Sequence, residues 1–210
     1  CEMSCRDGEE IKEKGLAETE SFLSSGRKGH VGLHASFTVD DDLLNRAVEL
    51  ARRHGTGIHI HVAEGVEDQE HCARAYGKSV VRRLRERGVL GRKTLAAHCI
   101  HLNWEDVQIL RETDTAVIHC PRSNMYNAAG AADVTEYSRA RVGLGLGTDG
   151  EAADMLGELA AASALCRHSS QNPDAGFEEL PRALFTSNAA FANRFFETPL
   201  GVLKPGAAGD

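Results

Sequence analysis

No run in the sequence is long and apolar enough to cross a bilayer as a helix, and no apolar core near the start marks a signal peptide. Positive charge is also in short supply. Lys and Arg number 24 against 31 Asp and Glu, a net charge of −7. Nucleic acid and anionic membrane both require a basic surface, so neither is an expected partner. The six cysteines form no CxxC pair and follow no regular spacing. That pattern is expected of reduced thiols in a cytoplasmic protein, most of them small buried side chains. Nothing in the spacing supports a metal or redox pair between Cys1 and Cys5. Low-complexity tracts and close internal repeats are absent. What remains is an ordinary soluble composition, 41% hydrophobic and 26% charged, in a chain long enough for one sizeable core. The start at Cys1 and the end at Asp210 in mid-phrase lead us to expect part of a longer chain.

The stretch Ile58-His59-Ile60-His61-Val62-Ala63-Glu64 is the centre of what is there. It alternates and is β-branched, so it reads as a buried strand. In an extended chain His59 and His61 share one face and the aliphatic residues share the other. Similar short strands are expected at Val31-Gly32-Leu33-His34, Thr94-Leu95-Ala96-Ala97-His98, Thr115-Ala116-Val117-Ile118-His119 and a Gly-rich stretch over residues 142–147. Helices are expected over residues 9–25, about 41–54, 67–88 with a break near Gly77, 103–112, 131–140, 152–167 and 177–195. Cys120-Pro121-Arg122-Ser123-Asn124 reads as a turn. The Arg-rich run over residues 82–87 reads as a solvated helix face.

Strand and helix alternate, which implies parallel strands with crossover helices. A doubly wound nucleotide fold and a (β/α)8 barrel both fit that alternation. The first should carry GxGxxG after an early strand, and the glycines at 143, 145 and 147 have the wrong spacing and come late. The barrel predicts reactive side chains at the carboxyl ends of several strands. The five expected strands end at or beside His34, His61, His98, His119 and Asp149. A histidine at a strand end suits a metal, and a carboxylate just beyond it suits proton transfer to and from water.

His61-Val62-Ala63-Glu64, Ala97-His98-Cys99-Ile100-His101-Leu102, Cys120-Pro121-Arg122-Ser123-Asn124 and Gly147-Thr148-Asp149-Gly150 together resemble, in order, the strand motifs of the amidohydrolase superfamily. Within it the chain is similar to the aminohydrolase/deaminase branch that includes guanine deaminase, chlorohydrolases and SsnA-type proteins. Gly32-Leu33-His34-Ala35-Ser36-Phe37-Thr38-Val39 and His59-Ile60-His61-Val62-Ala63-Glu64-Gly65 look SsnA-like.

The resemblance implies an α/β fold. Residues 1–200 would be the carboxyl-terminal part of a (β/α)8 TIM-type barrel, with the five strands as the fourth to eighth. Residues 201–210 would begin a truncated β-sandwich segment. The family's HxH on its first strand has no counterpart here; the one HxH, His59-Ile60-His61, falls on the fifth. Such a partial barrel, taken alone, is expected to be inactive and prone to aggregate.

By the same resemblance His61 and Asp149 are metal ligands, with Zn2+ expected and Fe2+ the alternative. Glu64, His98 and Asp149 are catalytic: Glu64 shuttles the proton, His98 hydrogen-bonds the attacking oxygen or the substrate, and Asp149 helps deprotonate the water. His34 and His98 contact substrate. Structural roles are expected for His101, His119 and Asn124, and surface or packing roles for His30, His54, His71 and His168. The implied reaction is hydrolytic deamination of an amino-substituted purine, pyrimidine or triazine. A related hydrolase expelling chloride or an amide nitrogen is a second reading, and an inactive barrel relative a third. A homodimer is the family's expectation.

Overall fold

The computed structural model describes residues 2–209. Cys1 and Asp210, and with them the Cys1–Cys5 question, lie outside the described residues. Six parallel strands form one sheet whose spatial order is the chain order. The elements are β1 (Glu2–Met3), α1 (Glu9–Ser24), β2 (Val31–Ala35), α2 (Asp41–Arg53), β3 (Ile58–Val62), α3 (Val66–Tyr76) and α4 (Val80–Glu86). They continue with β4 (Leu95–His98), α5 (Trp104–Glu112), β5 (Ala116–His119), α6 (Pro121–Tyr126), α7 (Val134–Ala140) and β6 (Leu144–Leu146). Last come α8 (Met155–Ser170), α9 (Glu179–Arg182), a π turn at Ala183–Ser187, and α10 (Asn188–Ala192).

All five expected strands are present, and β1 is an addition. Two residues cannot show a period, so β1 is visible only through its pairing with β2. If β2–β6 are the fourth to eighth strands of a barrel, β1 takes the third place. The helix after β5 is a second correction. Pro121 sits at the first helical position, where its missing N–H costs nothing, and the expected turn winds on as α6. A third concerns the Arg-rich run: Arg83 is buried, while Arg82, Arg85 and Arg87 reach solvent.

Local chemistry sets the helix starts. The side chains of Asp40, Ser79, Asn103, Asp133 and Asp154 each accept a backbone N–H three residues on. The helix after β6 therefore starts at Met155, and residues 152–154 stay in the loop. The core lies between the helices and one face of the sheet. In β3, Ile58, Ile60 and Val62 are buried on that face, whereas mid-strand His59 on the other is exposed. The second face is the inner wall of a partial barrel, open along its length.

The strands enter the sheet closely packed. A Cβ added to Gly57, just before β3, would sit 1.6 Å from the carbonyl oxygen of Lys93, just before β4. Backbone cannot yield as a side-chain tip can. Gly57→Ala is expected to cost about 1–3 kcal/mol of stability, as overpacking does. Gly91→Ala, where an added Cβ meets nothing within 4 Å, serves as the control. Urea unfolding of the two variants checks this, and equal midpoints would show that the β3–β4 entrance is looser than described.

Candidate active site

Parallel pairing in register brings the strand ends to one edge of the sheet. His61 lies opposite Ala97, and Val62 opposite His98. At this edge the backbone leaves the strands through conformations L-residues seldom adopt. Ala63, His98, Cys99 and Asp149 have φ of 48°, 67°, 53° and 52°. The turn is held by hydrogen bonds from the N–H groups of Ile100 and His101 to the Ala63 carbonyl, 3.1 and 3.0 Å. Asp68 on α3, buried, accepts the N–H groups of Ala63 and Phe37, both at 3.0 Å. Burial pushes the Asp68 carboxyl up to about 6 against the pull of those two donors. One carboxyl thus joins the loop after β3 to the loop after β2.

His34, His61, Glu64, His98 and Asp149 all meet here. One nitrogen each of His61 and His98 and one carboxylate oxygen of Glu64 lie within 4.8 Å of one another. Glu64 Oε2 is 3.5 Å from His98 Nε2 and 3.8 Å from His61 Nδ1. Asp149 Oδ2 is 3.9 Å from His98 Nε2. The His34 ring is 5.2 Å from that of His61, and its Nδ1 is tied to Thr38 Oγ1 at 2.8 Å. His119 stands one layer back.

The state of His98 follows from its neighbours. Its Nδ1 lies 2.8 Å from the Asn124 carbonyl oxygen, so that nitrogen carries the proton. The Asn124 amide group points instead to His119 Nδ1, at 3.4 Å. Burial lowers His119 to about 4 and keeps it neutral, able to accept. In neutral His98 the lone pair is therefore on Nε2. That atom is buried, has no hydrogen-bond partner among the described residues and faces the acceptor Oε2 of Glu64. Two acceptors at 3.5 Å repel unless a cation or a proton lies near both. Imidazole nitrogen and carboxylate oxygen are suitable donors to Zn2+ or Fe2+, so these residues fit a divalent ion.

Glu64 is held well below the usual carboxylate range, at about 2. The His61 imidazole is the main cause, acting at ion-pair rather than hydrogen-bond distance; burial opposes it, and His98 and the Asn127 amide assist. Burial pulls His61 down, but the carboxylates of Glu64, Glu2 and Asp149 outweigh it and leave His61 raised.

Sequence reasoning missed Glu2, whose Oε1 is 2.5 Å from His61 Nε2. Its strand is too short to signal itself. Also missed were Ser123, which donates to Asp149 Oδ2 at 2.6 Å, and Asn127, which donates to Glu64 Oε1 at 3.3 Å. His101 Nε2 is bonded to the Ala129 carbonyl at 2.9 Å. A cleft of about 510 Å3 opens beside Glu64, lined by His34, Phe37, Val66, His101 and Asn127 among others. A hollow of about 490 Å3 lies at the opposite, amino ends of the strands, beside His30 and His59. The ring of His59 in its lining is 6.2 Å from that of His61, and burial there lowers His30 to about 4.

This parallel sheet is shared with solved hydrolases. An adenosine deaminase from Xanthomonas campestris with bound zinc superposes with a TM-score of 0.83 and 24% identity, over 95% of this chain and 47% of that one. Guanine deaminase from E. coli gives 0.78 at 18% identity, covering 91% and 48%. A zinc-complexed atrazine chlorohydrolase from Arthrobacter aurescens gives 0.78 at 20%, covering 93% and 46%. The fold is thus that of part of an amidohydrolase barrel. The family model for amidohydrolases matches residues 5–210, and the chain belongs to the amidohydrolase family. A 5-methylthioadenosine/S-adenosylhomocysteine deaminase from Pelotomaculum thermopropionicum is 40% identical over 210 residues, 94% of this chain and 48% of that protein. One from Caldanaerobacter subterraneus is 33% identical over 215, covering 95% and 48%. The chain spans about half the length of these curated relatives. No helix among the described residues is long and apolar enough to cross a membrane.

Proposed function

We propose that the complete protein is a divalent-metal-dependent aminohydrolase that removes ammonia from an amino-substituted heterocycle. The substrate we favour is an adenine nucleoside bearing a thioether at its 5′ carbon, after the names of the relatives. The observation that carries this reading is the group formed by His61, Glu64 and His98, with Asp149 beside it, at the carboxyl edge of a parallel sheet. In our reading residues 1–200 belong to the barrel and residues 201–210 lead towards a β-sandwich.

His61 and Asp149 would hold the ion, with Zn2+ favoured over Fe2+. When bound, such an ion supplies a Lewis acid that makes water a nucleophile near neutral pH. The residues do the rest. Glu64, ionised at rest, accepts a proton from the attacking water on Oε2 and passes it to the leaving nitrogen. His98, with Nδ1–H anchored by Asn124, presents Nε2 to the attacking oxygen and fixes its line of approach. Asp149 adds a second carboxylate that favours loss of the water proton. His34, held by Thr38, faces the cleft and contacts the heterocycle or its sugar.

Removing a ligand tests the assignment. His61→Ala and Asp149→Ala in the complete protein are each expected to lower bound metal and abolish ammonia release, while His54→Ala does neither. Metal per chain and ammonia released from 5′-thioadenosines, amino-purines and amino-triazines are measured on the same samples. Chloride released from a chlorotriazine instead of ammonia would assign the chlorohydrolase reaction. Full metal and full turnover in both site variants would reject the assignment.

A further inference from the structure

The cluster's two acids come from different strand ends, Glu64 after β3 and Asp149 after β6. One short segment reaches both. Asn127, which closes α6, donates its side-chain N–H to Glu64 Oε1 at 3.3 Å and to Ser123 Oγ at 3.4 Å. Ser123, one turn earlier on the same face, spends its own hydrogen on Asp149 Oδ2 at 2.6 Å. Between them Asn124 holds His98. Three residues within a span of five therefore each grip a different member of the cluster.

The two grips differ in consequence. A carboxylate free to rotate presents either oxygen to the site. With Oε1 engaged by Asn127, Oε2 is the oxygen turned to His98 and His61. An amide cannot relay a proton at neutral pH, so Asn127 acts by orientation and not as a step in transfer. Ser123, as donor to Oδ2, fixes the plane of the Asp149 carboxyl group.

We propose that Asn127 is a positioning residue that selects Oε2 of Glu64 as the proton-carrying oxygen, and that Ser123 is the matching positioning residue for Asp149. This rests on the roles given above to Glu64 and Asp149.

The test is a double-mutant cycle in the complete, metal-loaded protein. Asn127 is exposed, so Asn127→Leu is not a folding risk. Asn127→Leu is expected to lower kcat about 10–100-fold, the usual cost of losing an outer-shell partner, with KM and bound metal unchanged. In a Glu64→Gln background the same substitution should change kcat less than about twofold, because its effect acts through Glu64. Ser123→Ala should instead weaken metal retention against a chelator by about 10-fold or more, measured without turnover. Equal losses from Asn127→Leu in both backgrounds, an unchanged kcat, or loss of metal in the Leu variant would overturn the Asn127 role. Unaltered chelator resistance in Ser123→Ala would overturn the Ser123 role. Glu64→Gln alone separates the two levels of argument. If it keeps full turnover, the proton-carrier reading fails; if it is inactive while Asn127→Leu is silent, only the positioning inference fails.

Discussion

Glu64→Gln is expected to lower kcat of the complete protein by about 10²–10⁴-fold while bound metal and KM change little. Glutamine keeps the length of the side chain and its hydrogen-bonding reach but cannot accept a proton. The effect should be large because Glu64 faces His98 and His61 from one oxygen, within reach of the attacking water. Geometry offers a rival role, since that oxygen also belongs to the three-residue group with metal-ligand spacing. Metal content decides between them. A Gln variant that loses its ion identifies Glu64 as a ligand. One that keeps both ion and rate moves the proton shuttle elsewhere, with His98 the first candidate.

The second large effect is structural. Arg83, 2% exposed, donates to the Ser36 carbonyl (2.7 Å) and hydroxyl (2.8 Å), the Val39 carbonyl (2.8 Å) and Asp41 Oδ1 (2.9 Å), and lies 3.9 Å over the Tyr76 ring. Its guanidinium braces the short 3-10 turn Ser36–Thr38 and the residues that lead from it into α2. Arg83→Met fills the same space but removes those donors, leaving the Ser36 carbonyl only the Val39 N–H at 3.4 Å and Asp41 only Arg87, so a loss of about 3 kcal/mol is expected. Arg82→Met, next in sequence, breaks only an exposed pair with Glu105 and should cost under about 1 kcal/mol. Urea midpoints at unchanged slope give both values. Equal small shifts would mean that water replaces the guanidinium. Because the same turn carries Thr38, the partner of His34, Arg83→Met should also disturb substrate contact.

What could be read in advance, and what could not, divides along physical lines. Strand ends were legible because alternation, β-branching and a terminal histidine coincide in five or six residues. That gathered His34, His61 and His98, and the order of the strand motifs added Asp149. Glu64 followed from its place three residues past His61. The residues around the cluster were legible only in part: a structural role was expected for Asn124, but not for Ser123 or Asn127. Ser123, Asn124 and Asn127 act together only because residues 121–126 form a helix, and six residues beginning with Pro have no readable period. Arg83 looked like its neighbours because charge alternation says nothing of which face points inwards. Glu2 needed the sheet: a two-residue strand has meaning only once β2 is beside it.

The order of the sheet carries a consequence for how the molecule is made. Strands follow one another in space as they do in the chain, and each pairs in parallel with the one before it. Every newly synthesised strand thus meets a surface already laid down, and among the described residues no strand pairing waits on a distant stretch of chain. Growth on the ribosome can proceed by accretion, one unit at a time, with loop closure kept short at each addition. The cluster at the carboxyl edge does not share that schedule. It needs the ends of β3, β4 and β6 and the segment after β5, so it is complete only when Asp149 has left the exit tunnel. In an assembly line of this kind β1–β5 are in place before the cluster is whole, and α8–α10 are added behind it.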